Sequence, residues 1–197
     1  MKKILRLASW IDQDAKRWLE NLERVTELAA KRKPKLNTAI LGHADDSIFT
    51  FYERVGAIVL EASMPLAQVD YIGFYYSQKI LGVFPKVIDI EIASTWDTQT
   101  ASALKQSNDP DEKRLGKIMS CALSDRFVKN YPPKNTYKVY HLSGTNDDST
   151  LVTPGHQEIR HEAVGRGSAF VKRPRYFQIN SLLAAKVTSD LPSPHRK

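Results

Sequence analysis

Three carboxylates stand at a spacing that suits a divalent cation. Asp70 opens an aromatic and branched stretch, 69–77, while Asp89 and Glu91 lie in a second stretch, 86–93, that alternates as Val-Ile-Asp-Ile-Glu-Ile-Ala. Both stretches read as strands. Side chains two apart share a face of a strand, so Asp89 and Glu91 point one way and Ile88, Ile90 and Ile92 the other. If the two strands are neighbours, the Asp70 carboxylate joins the pair. Carboxylates gathered on one patch repel one another unless a cation sits between them, and a hard ion such as Mg2+ takes oxygen ligands of this kind. The competing reading is an edge strand whose acidic face meets water, since that gives the same alternation.

Two other clusters carry chemistry-bearing residue types. In the stretch 156–162, His-Gln-Glu-Ile-Arg-His-Glu, the two histidines are five apart, which is not the four-residue step of a zinc-binding helix. On a strand His156, Glu158, Arg160 and Glu162 share a polar face and His161 lies opposite, so a solvated face with a neutralising Arg is the favoured reading. In the stretch 165–177 the cations Arg166, Lys172, Arg173 and Arg175 interleave with Phe170, Tyr176 and Phe177. Cations of this kind make phosphate contacts and aromatics stack on unpaired bases, although Phe170 and Phe177 also suit a core. Lys31, Arg32, Lys33 and Lys35 add to the same field. His141 and His43 are lone histidines that would matter as general acids only in a metal-independent hydrolase. No phosphate-binding Gly-rich loop, dinucleotide fingerprint or nucleophile elbow is present in the sequence.

The elements that must position these residues follow from periodicity. Ser9 to Lys33 predicts an amphipathic helix with Ile11, Ala15, Trp18, Leu22, Val25 and Ala29 on one face, ended by Pro34. The stretch 36–44 is a strand or a connection. A second helix is expected after Asp46 or Ser47, running from Ile48 through Val55 to Ala62, with a strand as the alternative. After the two acidic strands, a helix is expected over 99–106 and another from Pro110, which Asn108 and Asp109 cap and Pro132 ends. Residues 137–142 form a good strand, and 150–153, 158–164 and 169–179 are further strands separated by Pro154-Gly155 and Gly165-Arg166-Gly167. This order predicts a mixed α/β (α+β) fold in a single domain. Within it, 1–145 is the α/β core, 146–188 a β-rich basic extension and 189–197 a flexible basic tail.

An acid on one strand followed by acid-x-residue on the next, with helices before and after, resembles the active-site signature of the PD-(D/E)XK nucleases, the superfamily of type II restriction endonucleases. The resemblance covers roughly residues 47–142 in element order and Asp70, Asp89 and Glu91 in motif. It implies a restriction-endonuclease-like mixed sheet flanked by helices that hydrolyses DNA phosphodiester bonds. Asp70 and Asp89 would hold one or two Mg2+ ions, with the Ile90 carbonyl as a further ligand, and the metal would lower the pKa of a bound water. Glu91 stands where the family usually has lysine, a position at which some restriction enzymes carry Glu or Gln; if Glu91 is taken as the second acid instead, Ala93 stands there. Val69 replaces the usual proline. Such enzymes commonly act as homodimers, each subunit cutting one strand.

Bulk properties bound these readings. The chain has 197 residues, 42% hydrophobic and 26% charged, with a formal net charge of +7. Residues 1–35 carry +5, residues 36–110 carry −5 and residues 111–197 carry +7. An acidic middle between basic flanks suits a polyanion partner, DNA foremost. No apolar run reaches the length of a membrane span, and Arg6 and Asp12 interrupt the N-terminal apolar segment too early for a signal peptide. One cysteine, Cys121, excludes an intramolecular disulfide, and an intracellular, cytoplasmic setting is the default. The alternatives to an endonuclease are a non-enzymatic nucleic-acid-binding subunit of a ribonucleoprotein, mobile-element or phage assembly, and an interaction protein whose basic surface meets an acidic partner.

Overall fold

In a computed structural model of the chain, the structure describes residues 36–42, 46–133, 135–162 and 173–192. The expected helix Ser9–Lys33, the basic run 31–35, His43, Arg166, Phe170, Lys172 and the tail from 193 lie outside the described residues. Residues 1–35 and 36–197 are separate units, and every described element belongs to the second.

Two sheets carry the fold. In the first, β1 (Thr38–Gly42) pairs in parallel with β3 (Tyr71–Tyr76), and β4 (Lys79–Ile80), β9 (Ile159–Arg160) and β10 (Arg175–Phe177) complete the order β10-β1-β3-β4-β9. The second is built from β2 (Ala57–Glu61), β7 (Tyr137–Leu142) and β6 (Val87–Ala93) in the order β2-β7-β6, all antiparallel. Strands β5 (Val83–Phe84) and β8 (Leu151–Val152) form a two-stranded ribbon. Four α-helices are described: α1 (Ser47–Val55), α2 (Thr98–Gln106), α3 (Pro110–Ala122) and α4 (Ile179–Ala184). The fold is therefore mixed α+β.

Strand alternation sorts the apolar residues into layers. On β2 and β7, Ala57, Val59, Tyr137 and Val139 pack against Trp96 and the buried faces of α2 and α3. Their neighbours Ile58, Leu60, Tyr140 and Leu142 face Ala39, Leu41, Ile72 and Phe74 of the first sheet across a second core. The far side of the first sheet, with Ile40, Ile80, Ile159 and Phe177, is covered by Ile179 and Leu182 of α4. The order through the described part of the second unit is helices, sheet, sheet, helix. Helix α1 serves both inner layers, sending Phe51 into the first core and Tyr52 into the second.

Several sequence expectations change here. The helix expected to reach Ala62 stops at Val55, because Gly56 adopts φ +64 and its N–H closes on the Tyr52 carbonyl at 2.7 Å. A left-handed glycine ends a helix in this way, and the branched residues after it become β2. The strand expected to run to Ile179 ends at Phe177, and Ile179 opens α4. Among the described residues of the strand predicted over 158–164, Ile159–Arg160 forms one, while His156 sits in a 3-10 turn at φ +55. His156, Glu158, Arg160 and Glu162 thus do not form one strand face. Within the range 146–188, β9 and β10 pair with β4 and β1 of the first sheet. Helices α2 and α3 begin close to where expected, with the Asp97 side chain accepting from the Thr100 N–H and the Asp109 side chain from Asp111 and Glu112. Gly116 lets them approach closely, since an added Cβ would lie 2.5 Å from the Lys105 nitrogen.

Candidate functional site

Strand β6 is placed by hydrogen bonds at its start. The Lys86 N–H donates to Ser143 Oγ (2.8 Å), which is 2.6 Å from Thr150 Oγ1, and the Thr150 hydroxyl donates to the Gly144 carbonyl at 2.7 Å. The Ser143 N–H returns to the Lys86 carbonyl at 2.9 Å, and the Tyr52 hydroxyl donates to the Ser143 carbonyl at 2.9 Å. Burial pushes the Tyr52 phenol up to about 12, so it stays a donor at any ordinary pH. This polar knot fixes where the chain enters β6 and how it meets the end of β7.

From there the ladder runs antiparallel to β7, with an irregularity between Val87 and Asp89 that bulges the strand at Ile88. Asp89 stands opposite His141, and Glu91 opposite Val139. Both acids therefore lie on the helix-facing side of the sheet, as the alternation predicts, with Ala93 further along the same face buried in the first core. Glu91 is committed: its Oε2 lies 3.2 Å from Nε2 of His141. A carboxylate only accepts, so Nε2 carries the proton. His141 is 5% exposed, and its Nδ1 has no hydrogen-bond partner among the described residues.

Asp70 belongs to the other sheet. It precedes β3, is exposed, and meets β6 only through the backbone: the Val87 N–H donates to the Asp70 carbonyl at 2.8 Å, beside the isolated bridge of Tyr71 with Lys86. The chain thus brings Asp70 to Val87, two residues short of Asp89, and then the two strands diverge into separate sheets. Among the described residues, no three His, Cys, Asp or Glu side chains group closely enough to hold a metal ion. The neighbouring of strands that would bring Asp70, Asp89 and Glu91 together thus extends no further than the Tyr71–Lys86 bridge. Glu91 turns to His141 instead.

No family model, curated protein or solved structure matches this chain.

Of the basic stretch, the structure describes Arg173 and Arg175. Arg173 is exposed, and Arg175 is partly buried on β10, opposite Ile40 and close to Tyr75. Desolvation there lowers the pKa of the Arg175 guanidinium. Tyr75 in turn meets His161 edge to face, 6.1 Å between ring centres, and His161 Nδ1 lies 2.8 Å from Thr188 Oγ1. Phe177 is core, in agreement with one of its two sequence readings. Sequence reasoning does not single out Lys186, which with Arg160, Gln157, Glu158 and Val187 lines an open cleft beside β9. Glu158 is tied to Lys79 at 2.6 Å. No spacing signal links Arg160 to Lys186; the bridge between Arg160 and Val187 brings them together. Cys121 sits half-buried against the first core, where burial raises its thiol pKa away from reactivity. No described helix is long and apolar enough to cross a membrane.

Proposed function

We propose that this chain is a non-enzymatic nucleic-acid-binding subunit. The observation that carries the reading is that a chain of net charge +7 places Arg175 on the outermost strand of its larger sheet, close to Tyr75, which itself meets His161, with the exposed Arg173 just before that strand. Cations supply contacts to phosphate without regard to sequence, and a neighbouring aromatic can stack on an unpaired base. Arg166 and Lys172 belong to the same stretch and extend the positive field. Filter binding of the full chain to single- and double-stranded probes, titrated against salt, tests this. A steep loss of affinity with salt is expected, reduced in slope by replacing Arg173; affinity insensitive to salt overturns it.

A second reading keeps one specific observation, the 2.8 Å bond that sets Asp70 beside the start of β6. In that reading the chain is a metal-dependent endonuclease of the PD-(D/E)XK type. Asp70 and Asp89 would hold Mg2+, Glu91 would occupy the usual lysine position, and two copies would each cut one strand of DNA. Asp89→Asn separates the two proposals. Under the first it leaves binding intact and there is no cleavage to lose. Under the second it abolishes Mg2+-dependent cleavage while binding persists.

A further inference from the structure

Strand β6 is an edge, and from Asp89 to Ala93 no described strand takes its outer side. Edge strands are usually blunted, because unpaired N–H and C=O groups invite another chain. Here the edge also carries three exposed isoleucines: Ile88 is 58% exposed, Ile90 43% and Ile92 65%. Ile90 and Ile92 stand opposite Tyr140 and Lys138, on the face that elsewhere holds the second core, yet they project past its rim. Asp89 and Glu91 alternate with them on the other face. A contiguous apolar stripe of this kind marks an interaction surface rather than random exposure.

The charge pattern decides what fits. A second copy of the chain does not. The two-fold register that pairs 89–93 along its whole length sets Glu91 against Glu91 of the second copy, and the register one step back sets Asp89 against Glu91. Like charges directly opposite are destabilising in a ladder. A strand that alternates apolar and basic residues meets both faces at once, its apolar side chains on Ile90 and Ile92 and its Lys or Arg opposite Asp89 and Glu91. We infer that the outer edge of β6 is a docking site for an extended peptide segment of a partner protein with alternating apolar and basic residues, added to the β2-β7-β6 sheet as a fourth strand. Main-chain hydrogen bonds supply the affinity in this mode and alternate side chains the specificity. The bridge of Tyr71 with Lys86 closes the edge just before this stretch, so the added strand starts level with Asp89 and has no room to slide toward Val87.

The test is fluorescence anisotropy of a labelled synthetic peptide, Val-Lys-Val-Arg-Val-Lys-Val, against the full chain. Saturable binding is expected, weakened by salt, and at least about tenfold tighter than for a peptide of the same composition with its basic residues in one block or for the Glu-substituted peptide. Ile90→Lys, at an exposed position, should lower the affinity by about tenfold, because it sets a charge where the peptide's apolar side chains dock; Ile92→Thr should lower it less, with the thermal midpoint unchanged in both. Equal affinity for the blocked peptide, no saturable binding, or undiminished binding by Ile90→Lys overturns the inference. So does a concentration-dependent dimer in sedimentation that Ile90→Lys abolishes, which would make a second copy the occupant.

Discussion

Two outer strands of this molecule, β10 and β6, are edges for opposite reasons. Strand β10 carries Arg175 and is locked down. Its Phe177 is 1% exposed, the Asn37 N–H donates to the Phe177 carbonyl at 3.1 Å, and the Tyr176 hydroxyl accepts from the Ala67 N–H at 3.0 Å. Strand β6 carries acids and leaves three isoleucines in water. Edge position alone therefore says nothing about whether a strand is finished. What differs is the layer behind it: α4 and the chain around Asn37 close over β10, whereas the second core stops at Tyr140 and leaves the rest of β6 unroofed.

Substitutions can break that contrast. Phe177→Ala should be the most damaging, about 3–5 kcal/mol in urea unfolding, because it opens a cavity in the third core. Ile92→Ala, of similar apolar character but exposed, should cost less than about 0.5 kcal/mol. Equal costs would mean that the two edges are covered alike. Next comes Glu91→Ala, expected to lose about 1–3 kcal/mol by stripping a buried histidine of its hydrogen bond. Glu91→Gln keeps an acceptor for Nε2 and should recover most of that loss; the same unfolding curves decide it.

Arg173→Ala should leave stability unchanged and reduce the salt slope of nucleic-acid binding by about 0.9, the share of one phosphate contact on a duplex. The same measurement with Ile90→Lys, on the other edge, should show no decrease in slope. Acid gives the smallest effect. The Lys186 and Val187 N–H groups hold the Asp190 carboxyl below the usual carboxylate range, and a lowered folded pKa contributes stability above the unfolded value of about 3.9 that disappears as pH falls through the folded one. Asp190→Asn should therefore be less stable than the parent at pH 7, the two converging only once the pH has fallen below the lowered range of the folded carboxyl, as thermal melts would record.

How far the sequence can be read depends on the range of the forces involved. Local signals are reliable here: Asp97 and Asp109 cap helices, Tyr137–Leu142 is a strand, and the alternation through 87–93 is real. Glu91 is legible as an acid on that face, but its partner is not, because His141 lies fifty residues away and only the β6–β7 register brings the two together. The division of the acidic strands between two sheets is invisible for the same reason. Ile88, Ile90 and Ile92 look like the buried half of an amphipathic strand until the layer that would cover them turns out to end short. Gly56 is the local cue that periodicity hides. Its φ depends on the chain doubling back into β2, so the apolar residues beyond it fit a helical period in the sequence.

The placement of β1 has a consequence for how the chain is made. Its inner neighbour β3 begins at Tyr71, but its other neighbour β10 comes only at Arg175, so Thr38–Ile40 waits unpaired on one side until Arg175–Phe177 has left the ribosome. At synthesis rates of about 5–20 residues per second, that interval is on the order of ten seconds. A nascent chain with a hydrophobic strand open for so long is a natural client for a chaperone, and truncation before residue 175 should yield insoluble product rather than a smaller folded protein.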